Sequence, residues 1–555
     1  MISFLPVLVG AALAGPSPAS PEGAPGAAPA AFHQIAFVND TLSHGTLGDP
    51  YLSLNEAIQL HNGTLSVTQL SIAEQLQVTL LPGSVTTDVT WIDIDSEAIP
   101  TITMQQDLES IVNTPFGLFI RGAGGKVTFD LSAPGVTRGI HSTSSSLVLQ
   151  GLKFVGGAGG IEVLQADATG QPGCTVIDCV FENQSQFGLR VHGGLVGGVG
   201  RLIVEDCVFD SVPDAVVFDE AAADRTTIFE ARDVRIDNAT NGFDFDCGPS
   251  GTARFTLDRC EVSCAGTGVD VATASTSGRS TLVEGVHLRV RAPLCARIEA
   301  PSDTVTWTQC SMWSLLAPPG GVALELGALG DQIYGDLNEL QCDGDVTIAT
   351  GGAPLPLRVR NARFRDGAVS LSTTAVQPLS VTESRFQACV VESAGTDAVT
   401  FDGCSAEGGS FGAATAAGLL QASGCYLANP GAGATTTGGL SQPQLGSLRV
   451  SPDDVAVGGA VQLQFDLPPG LVGAAALGLV PAFLPIYPPP FYVYMDPGSI
   501  VFLPGIYSGQ QVAAWQAPNQ PALTGAQLVA QAVVLPLTAV APATQLPPGW
   551  RFELR

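Results

Sequence analysis

VIDCVFENQSQFGLRVHGG runs from Val176 to Gly194, and VEDCVFDSVPDAVVFDE follows from Val204 to Glu220. Both stretches open on an Asp-Cys-Val-Phe segment and close on a short apolar strand. The closing half reads as a Gly or other small residue, then apolar–x–apolar–x. It recurs as GIHST (139–143), GIEVL (160–164), GLRVH (188–192), AVVFD (215–219), GFDFD (242–246), GVDVA (268–272), CARIE (295–299) and GVALE (321–325). The steps from Arg190 to Val217, Asp244, Asp270, Arg297 and Ala323 are 27, 27, 26, 27 and 26 residues. The opening half recurs as LDRCEV (257–262) and WTQCSM (307–312), then in weaker copies as VRNARF (359–364), VTESRF (381–386) and FDGCSA (401–406). Alternation at period two writes strands rather than helices. A unit of about 21 to 28 residues holding several short strands, stacked many times, specifies an all-β solenoid with three strands per coil, a parallel β-helix.

Composition agrees. A chain of 555 residues exceeds one ordinary core. With Gly 65, Pro 39 and 45% hydrophobic residues, it is not a disordered composition and suits short strands between turns. The formal net charge is −28, and Lys126 and Lys153 are the only lysines. Such acidity argues against nucleic acid as a partner. It leaves neutral sugars, cations such as Ca²⁺, or solubility as its reasons.

Residues 1–14 read as a secretory signal peptide, with an apolar core and an Ala12-Leu13-Ala14 cleavage site but no basic n-region. They point to a secreted or cell-surface protein. Residues 15–31 form a Pro/Ala/Gly linker, 32–99 an N-terminal cap and first strands, and 100–430 the β-helix. After a linker at 431–445, residues 446–555 turn Pro-punctuated and free of Cys, the expectation for a small β-sandwich. The apolar stretch from Gly470 to Met495 carries several prolines and no flanking Lys or Arg, so buried strands are expected there rather than a membrane span.

The repeats resemble the right-handed parallel β-helix repeats of the pectin-lyase-like superfamily, from about Pro100 to Asn429. DPYLSLNEAIQLHNGTL (49–65) resembles the segment that often opens such helices, with Asn55 where an Arg is usual. Ala57, Ile58 and Leu60 would let a short amphipathic helix cover the first coil, which a solenoid needs to protect its open edge. The C-terminal part is similar to a module carried by many secreted proteins of environmental bacteria.

The resemblance implies a fold and no particular reaction. Polygalacturonase-like hydrolases use Asn-x-Asp, Asp-Asp, Gly-His-Gly and Arg-x-Lys. Here VHGG (191–194) is a poor match, the adjacent pair Asp453-Asp454 lies outside the helix, and no Arg-x-Lys occurs. Pectate-lyase-like enzymes use acidic Ca²⁺ ligands with an Arg or Lys base, an arrangement that Asp219, Asp244, Asp246 and Arg297 could imitate without any matching motif.

Twelve cysteines fall between Cys174 and Cys425. Cys179, Cys207, Cys260 and Cys310 are expected in one column. Coils stacked at about 4.8 Å lie within disulfide reach, but a buried ladder of small apolar side chains is the favoured reading. Cys260 and Cys264 lack a second pair with zinc spacing.

Alternation also sorts each strand into inward and outward side chains. Inward stand Leu189/Val191, Val216/Phe218, Phe243/Phe245, Val269/Val271 and Ala296/Ile298. One outward column reads His141, Glu162, Arg190, Val217, Asp244, Asp270, Arg297. The other reads Thr143, Leu164, His192, Asp219, Asp246, Ala272, Glu299, Glu325. Carboxylates about 5 Å apart on neighbouring coils fall in the range of glycosidase pairs and would suit Ca²⁺ as well. Exposed strand faces carry polar residues in any case, and these columns contain no aromatic platform.

The expected function is therefore a secreted or cell-surface β-helix protein, monomeric, that binds a polysaccharide or cell-envelope component or serves as an adhesive or structural module. The alternative is a polysaccharide lyase or glycoside hydrolase. Its catalytic residues would be Asp219, Asp244, Asp246, His192 and Arg297, its substrate-binding residues Arg190, Asp270 and Glu299. Asp219, Asp244 and Asp246 are the candidate Ca²⁺ ligands.

Overall fold

In a computed structural model of the chain, the repeat builds a right-handed parallel β-helix. The structure describes residues 33–554 except for 82–88, 113–116, 144–145, 165–172, 194–198, 221–224, 248–250, 274–279, 300–304, 328–331, 352–355, 375–378, 394–397, 403, 414–418, 424–425, 428–433, 438–446, 452–453, 468–470, 480–483, 487–490, 494–498, 521–525 and 537–549. The expected signal peptide and first linker lie outside the described residues.

One coil shows how the sequence turns. A first strand, Gly173–Ile177, ends at Asp178, whose φ of 53° swings the chain through a corner. A short strand, Val180–Glu182, follows, then a second corner at Asn183 with φ 59°. A long strand, Phe187–Gly193, completes the coil. First strands stack into one parallel sheet, and short and long strands together build the other. The first corner repeats as Asp178, Asp206, Asp233, Arg259, His287, Met312, Glu339, Asn361 and Glu383, all with φ between 51° and 59°. That left-handed conformation is easiest for Asp and Asn among residues with a side chain.

The residue after each corner points into the core. Cys179, Cys207, Val234, Cys260, Leu288, Trp313 and Leu340 are all buried. Cys310 departs from the expected column. It lies inside the strand Val305–Ser311, opposite Gly285 and Leu337, because Met312 makes the corner and Trp313 fills the slot behind it. Gly285 makes room, since a Cβ there would sit 2.7 Å from the Trp313 Nε1. Cys174, Cys179, Cys207, Cys260, Cys295, Cys310, Cys342, Cys389 and Cys404 are buried free thiols, and Cys264 is a half-buried one. Burial raises the thiols of Cys174, Cys260 and Cys295 to about 12.

The small residue that opens each long strand has a steric cause. A Cβ at Gly139, Gly160 or Gly188 would come within 2.6–2.7 Å of the ring of Phe154, Phe181 or Phe209. These rings project from the short strands, with centroids 5.2 Å apart for Phe154–Phe181 and 4.5 Å for Phe181–Phe209. The expected inward pairs, from Leu189/Val191 to Ala296/Ile298, are all buried.

The helix Leu54–Asn62 packs by the strand His33–Val38 and buries Leu54, Ala57, Ile58 and Leu60, as a cap must. Ser53 and Glu56 form a reciprocal capping box, and Gly63 ends the helix at φ 73°. At the far end, Ala434–Thr437 still pairs in parallel with Leu419–Ser423. Beyond it, two mainly antiparallel sheets share a separate core of Val461, Leu463, Phe465, Ala475, Ala530 and Ala532. Within the membrane-like stretch, Leu471–Leu479 is a strand. Among the described residues, no helix is long and apolar enough to cross a membrane.

Candidate functional site

The outward face of the long strands brings the expected columns together. Backbone register places Arg190 opposite Val217, Val217 opposite Asp244, Asp244 opposite Asp270 and Asp270 opposite Arg297. In the second column His192 faces Asp219, and Asp219 faces Asp246. Glu325 belongs instead to the first column, opposite Arg297. The turn Pro318-Pro319-Gly320 lengthens the approach to this strand, so Ala323, expected outward, is buried and Glu325 takes the outward place.

Val217 divides the face into two groups. At the cap-ward end, Glu162 is the hub. Arg138 Nη1 donates to Glu162 Oε2, and His192 Nε2 lies 3.4 Å from Glu162 Oε1. The other His192 nitrogen, Nδ1, is 3.5 Å from Asp219 Oδ2, and His141 Nε2 is 4.0 Å from Glu162 Oε2. Burial holds the His141 imidazole below its usual value, and neighbouring Arg138 adds to that, while Glu162 and Asp107 oppose it. Arg138 also lies 3.8 Å from Asp107. Arg190 stands apart, its guanidinium 4.2 Å from the centroid of the Phe187 ring.

The second group is acidic. Arg297 grips Asp270 in a two-pronged pair, Nε to Oδ1 at 2.9 Å and Nη2 to Oδ2, and Nε is 3.7 Å from Glu299. This pairing holds the Arg297 guanidinium still further above its usual value. Asp244 stands beside this pair. Partial burial first, then the charges of Asp270, Asp214 and Asp246, raise its carboxyl above the ordinary aspartate range, with Arg297 opposing. Asn241 Nδ2 donates to Asp214 at 2.9 Å and its Oδ1 accepts from Thr267 N at 3.3 Å, which fixes the entrance of the strands.

Two residue sets were thus missed by sequence reasoning. Arg138 and Asp107 precede the recurring five-residue pattern, and Asp214 and Asn241 sit one residue ahead of it, at the start of their strands. Glu162 stood in the outward column, but its role follows only from the two imidazoles and the guanidinium that gather around it. Trp313, near the face in sequence, is buried in the core; the Trp307 side chain lies outside the described residues.

Chemically, the face offers fixed charge pairs, one carboxyl biased toward its neutral form, and imidazoles beside carboxylates, repeated at the spacing of stacked strands, about 4.8 Å. Among the described residues, no group of three His, Cys, Asp or Glu side chains is placed to hold a metal ion. Compared with protein-family models, curated proteins and solved structures, the chain matches none.

Proposed function

We propose that the chain is a secreted or cell-surface β-helix protein that binds an extended carbohydrate along the outward face of its long strands, in an adhesive or structural role. The apolar N-terminal segment and the likeness of the repeats to pectin-lyase-like β-helices support that setting. The observation that carries the reading is the pair of adjacent columns, Arg190–Asp244–Asp270–Arg297 and His192–Asp219–Asp246, on an open sheet face. Such a face presents donors and acceptors at a regular step, as a polymer with repeated hydroxyl groups requires. Glu299, 3.7 Å from Arg297, flanks it as a further contact.

A second reading, a polysaccharide lyase or glycoside hydrolase, is favoured by one feature. Asp244 is pushed toward protonation beside the Arg297–Asp270 ion pair, and a carboxyl biased toward its neutral form is what a general acid requires.

One experiment addresses both. The purified protein and an Asp219/Asp244/Asp246→Asn variant are incubated with neutral and acidic polysaccharides, with and without Ca²⁺. Retention, new chain ends and unsaturated products are measured. Retention without cleavage, lost in the variant, supports the binding reading. Cleavage lost in the variant supports the enzyme, and a Ca²⁺ requirement assigns the carboxylates to an ion. No retention and no cleavage across the panel overturns both.

A further inference from the structure

The opposite sheet carries an exception to its own pattern. One outward row along the middle of the solenoid reads Thr175, Ile203, Glu230, Thr256, Glu284 and Gln309, polar but for Ile203. Toward the cap the same row continues through Val148 to Phe119, Trp91 and Ile35, the last three contributed by the neighbouring strands Gly117–Ala123, Val89–Asp95 and His33–Val38. The next row there holds Phe37, Asp93 and Arg121.

These side chains are organised rather than merely adjacent. Trp91 and Phe119 meet edge to face with centroids 4.4 Å apart. The Arg121 guanidinium lies 5.0 Å from the Trp91 ring centroid and 5.9 Å from that of Phe119. Asp93 holds it there by two hydrogen bonds, Nε to Oδ1 at 2.6 Å and Nη2 to Oδ2 at 3.0 Å. Trp91 and Phe119 remain partly exposed, and Phe37 is 46% exposed. Large apolar side chains grouped on a sheet exterior are informative because water disfavours them there.

We propose that Trp91 and Phe119, with the Asp93–Arg121 pair beside them, form a separate binding site for a neutral, pyranose-based glycan. An aromatic surface accepts the apolar C–H face of a pyranose ring, and a rigid charged pair alongside offers donors and acceptors to its hydroxyl groups. The charge balance selects the ligand. Arg121 is neutralised by Asp93, so the site presents no net positive charge, while a chain with net charge −28 repels polyanions and repels a second copy of itself. This site lies on a different sheet from the acidic face and stands or falls independently of it.

The test uses the full chain with β-1,4-linked glucose, xylose and mannose pentasaccharides as probes and sodium polygalacturonate as the charged comparison. Calorimetry gives affinity, and oxidative footprinting with mass spectrometry follows the peptide containing Trp91. At least one neutral pentasaccharide is expected to bind and to protect Trp91 from oxidation. Trp91→Ala should weaken binding at least tenfold and Trp91→Phe much less, while protection of Trp91 from oxidation should persist in the Asp219/Asp244/Asp246→Asn variant. Absence of neutral binding, lack of Trp91 protection, stronger binding of the polyanion, or loss only in the triple variant each overturns the proposal. Footprinting of the unmodified chain decides the matter even if Trp91→Ala fails to fold.

Discussion

Asp244→Asn should make the protein more stable at neutral pH, and the gain should vanish in acid. The carboxyl is only partly exposed, and its neighbours Asp270, Asp214 and Asp246 all raise its protonation range. Two unit charges about 5 Å apart interact by about 0.8 kcal/mol in water and about 3 kcal/mol at an effective dielectric of 20. Asp270 is largely offset by Arg297, and solvent reaches the site, so the lower end applies. Adding a modest desolvation cost gives a net penalty of about 1 kcal/mol for the ionised form. The sign follows from linkage. A carboxyl whose folded value exceeds its unfolded one binds its proton more tightly in the native state. Stability is therefore undiminished below the unfolded carboxylate range and falls as pH rises through the folded value. Asparagine keeps the shape and removes that fall. Urea denaturation, which adds no screening ions, would be compared for both proteins at pH 7 and pH 3, using midpoints because stacked coils need not unfold in one step. Lower stability of the variant at pH 7, or an equal gain at both pH values, refutes the reasoning. On the proposed glycan-binding reading of this face, the same substitution should also weaken glycan retention.

Four further outcomes are expected. Gly188→Val would press a Cβ to within 2.6 Å of the Phe209 ring and should lower stability by about 2 kcal/mol or more, visible as a reduced melting temperature. Phe181→Ala empties the middle of the stacked Phe154–Phe181–Phe209 series and should cost about 3–5 kcal/mol in urea unfolding. Iodoacetamide at pH 8 should leave Cys174, Cys260 and Cys295 unmodified in the native protein, with the less buried Cys264 reacting first, as peptide mass spectrometry can show. Ser53→Ala removes the cap of the helix over the first coil and should cost about 1 kcal/mol, measurable as faster amide exchange across Leu54–Asn62.

The scaffold was legible because a period of two leaves little freedom. Once Leu189 and Val191 are assigned inward, Arg190 and His192 must point out, and equal coil lengths carry that assignment to Asp219, Asp244 and Arg297. Reading failed where look-alike residues stood in for geometry. Cys310 matched Cys207 by type, but the corner is made by the positive φ of Met312, which hands the core position to Trp313. Glu325 matched by spacing, but Pro318-Pro319-Gly320 adds residues before the strand that equal repeats do not have.

Side-chain partnership was less legible still, because it depends on reach across coils. Arg138 could have paired with several acids, and its choice of Glu162 leaves His192 poised between Glu162 and Asp219. The aromatic group at Trp91 and Phe119 escaped for another reason. Its strands enter before the repeat becomes regular and lie in the other sheet, outside the columns that the five-residue pattern sorts. Regularity in this chain therefore reports the core, where every coil must bury the same surface. Chemistry collects where coils depart from one another, since no packing requirement asks for Trp91 outside or for Asp244 among like charges. A position that breaks the repeat without improving the core is the place to look for function.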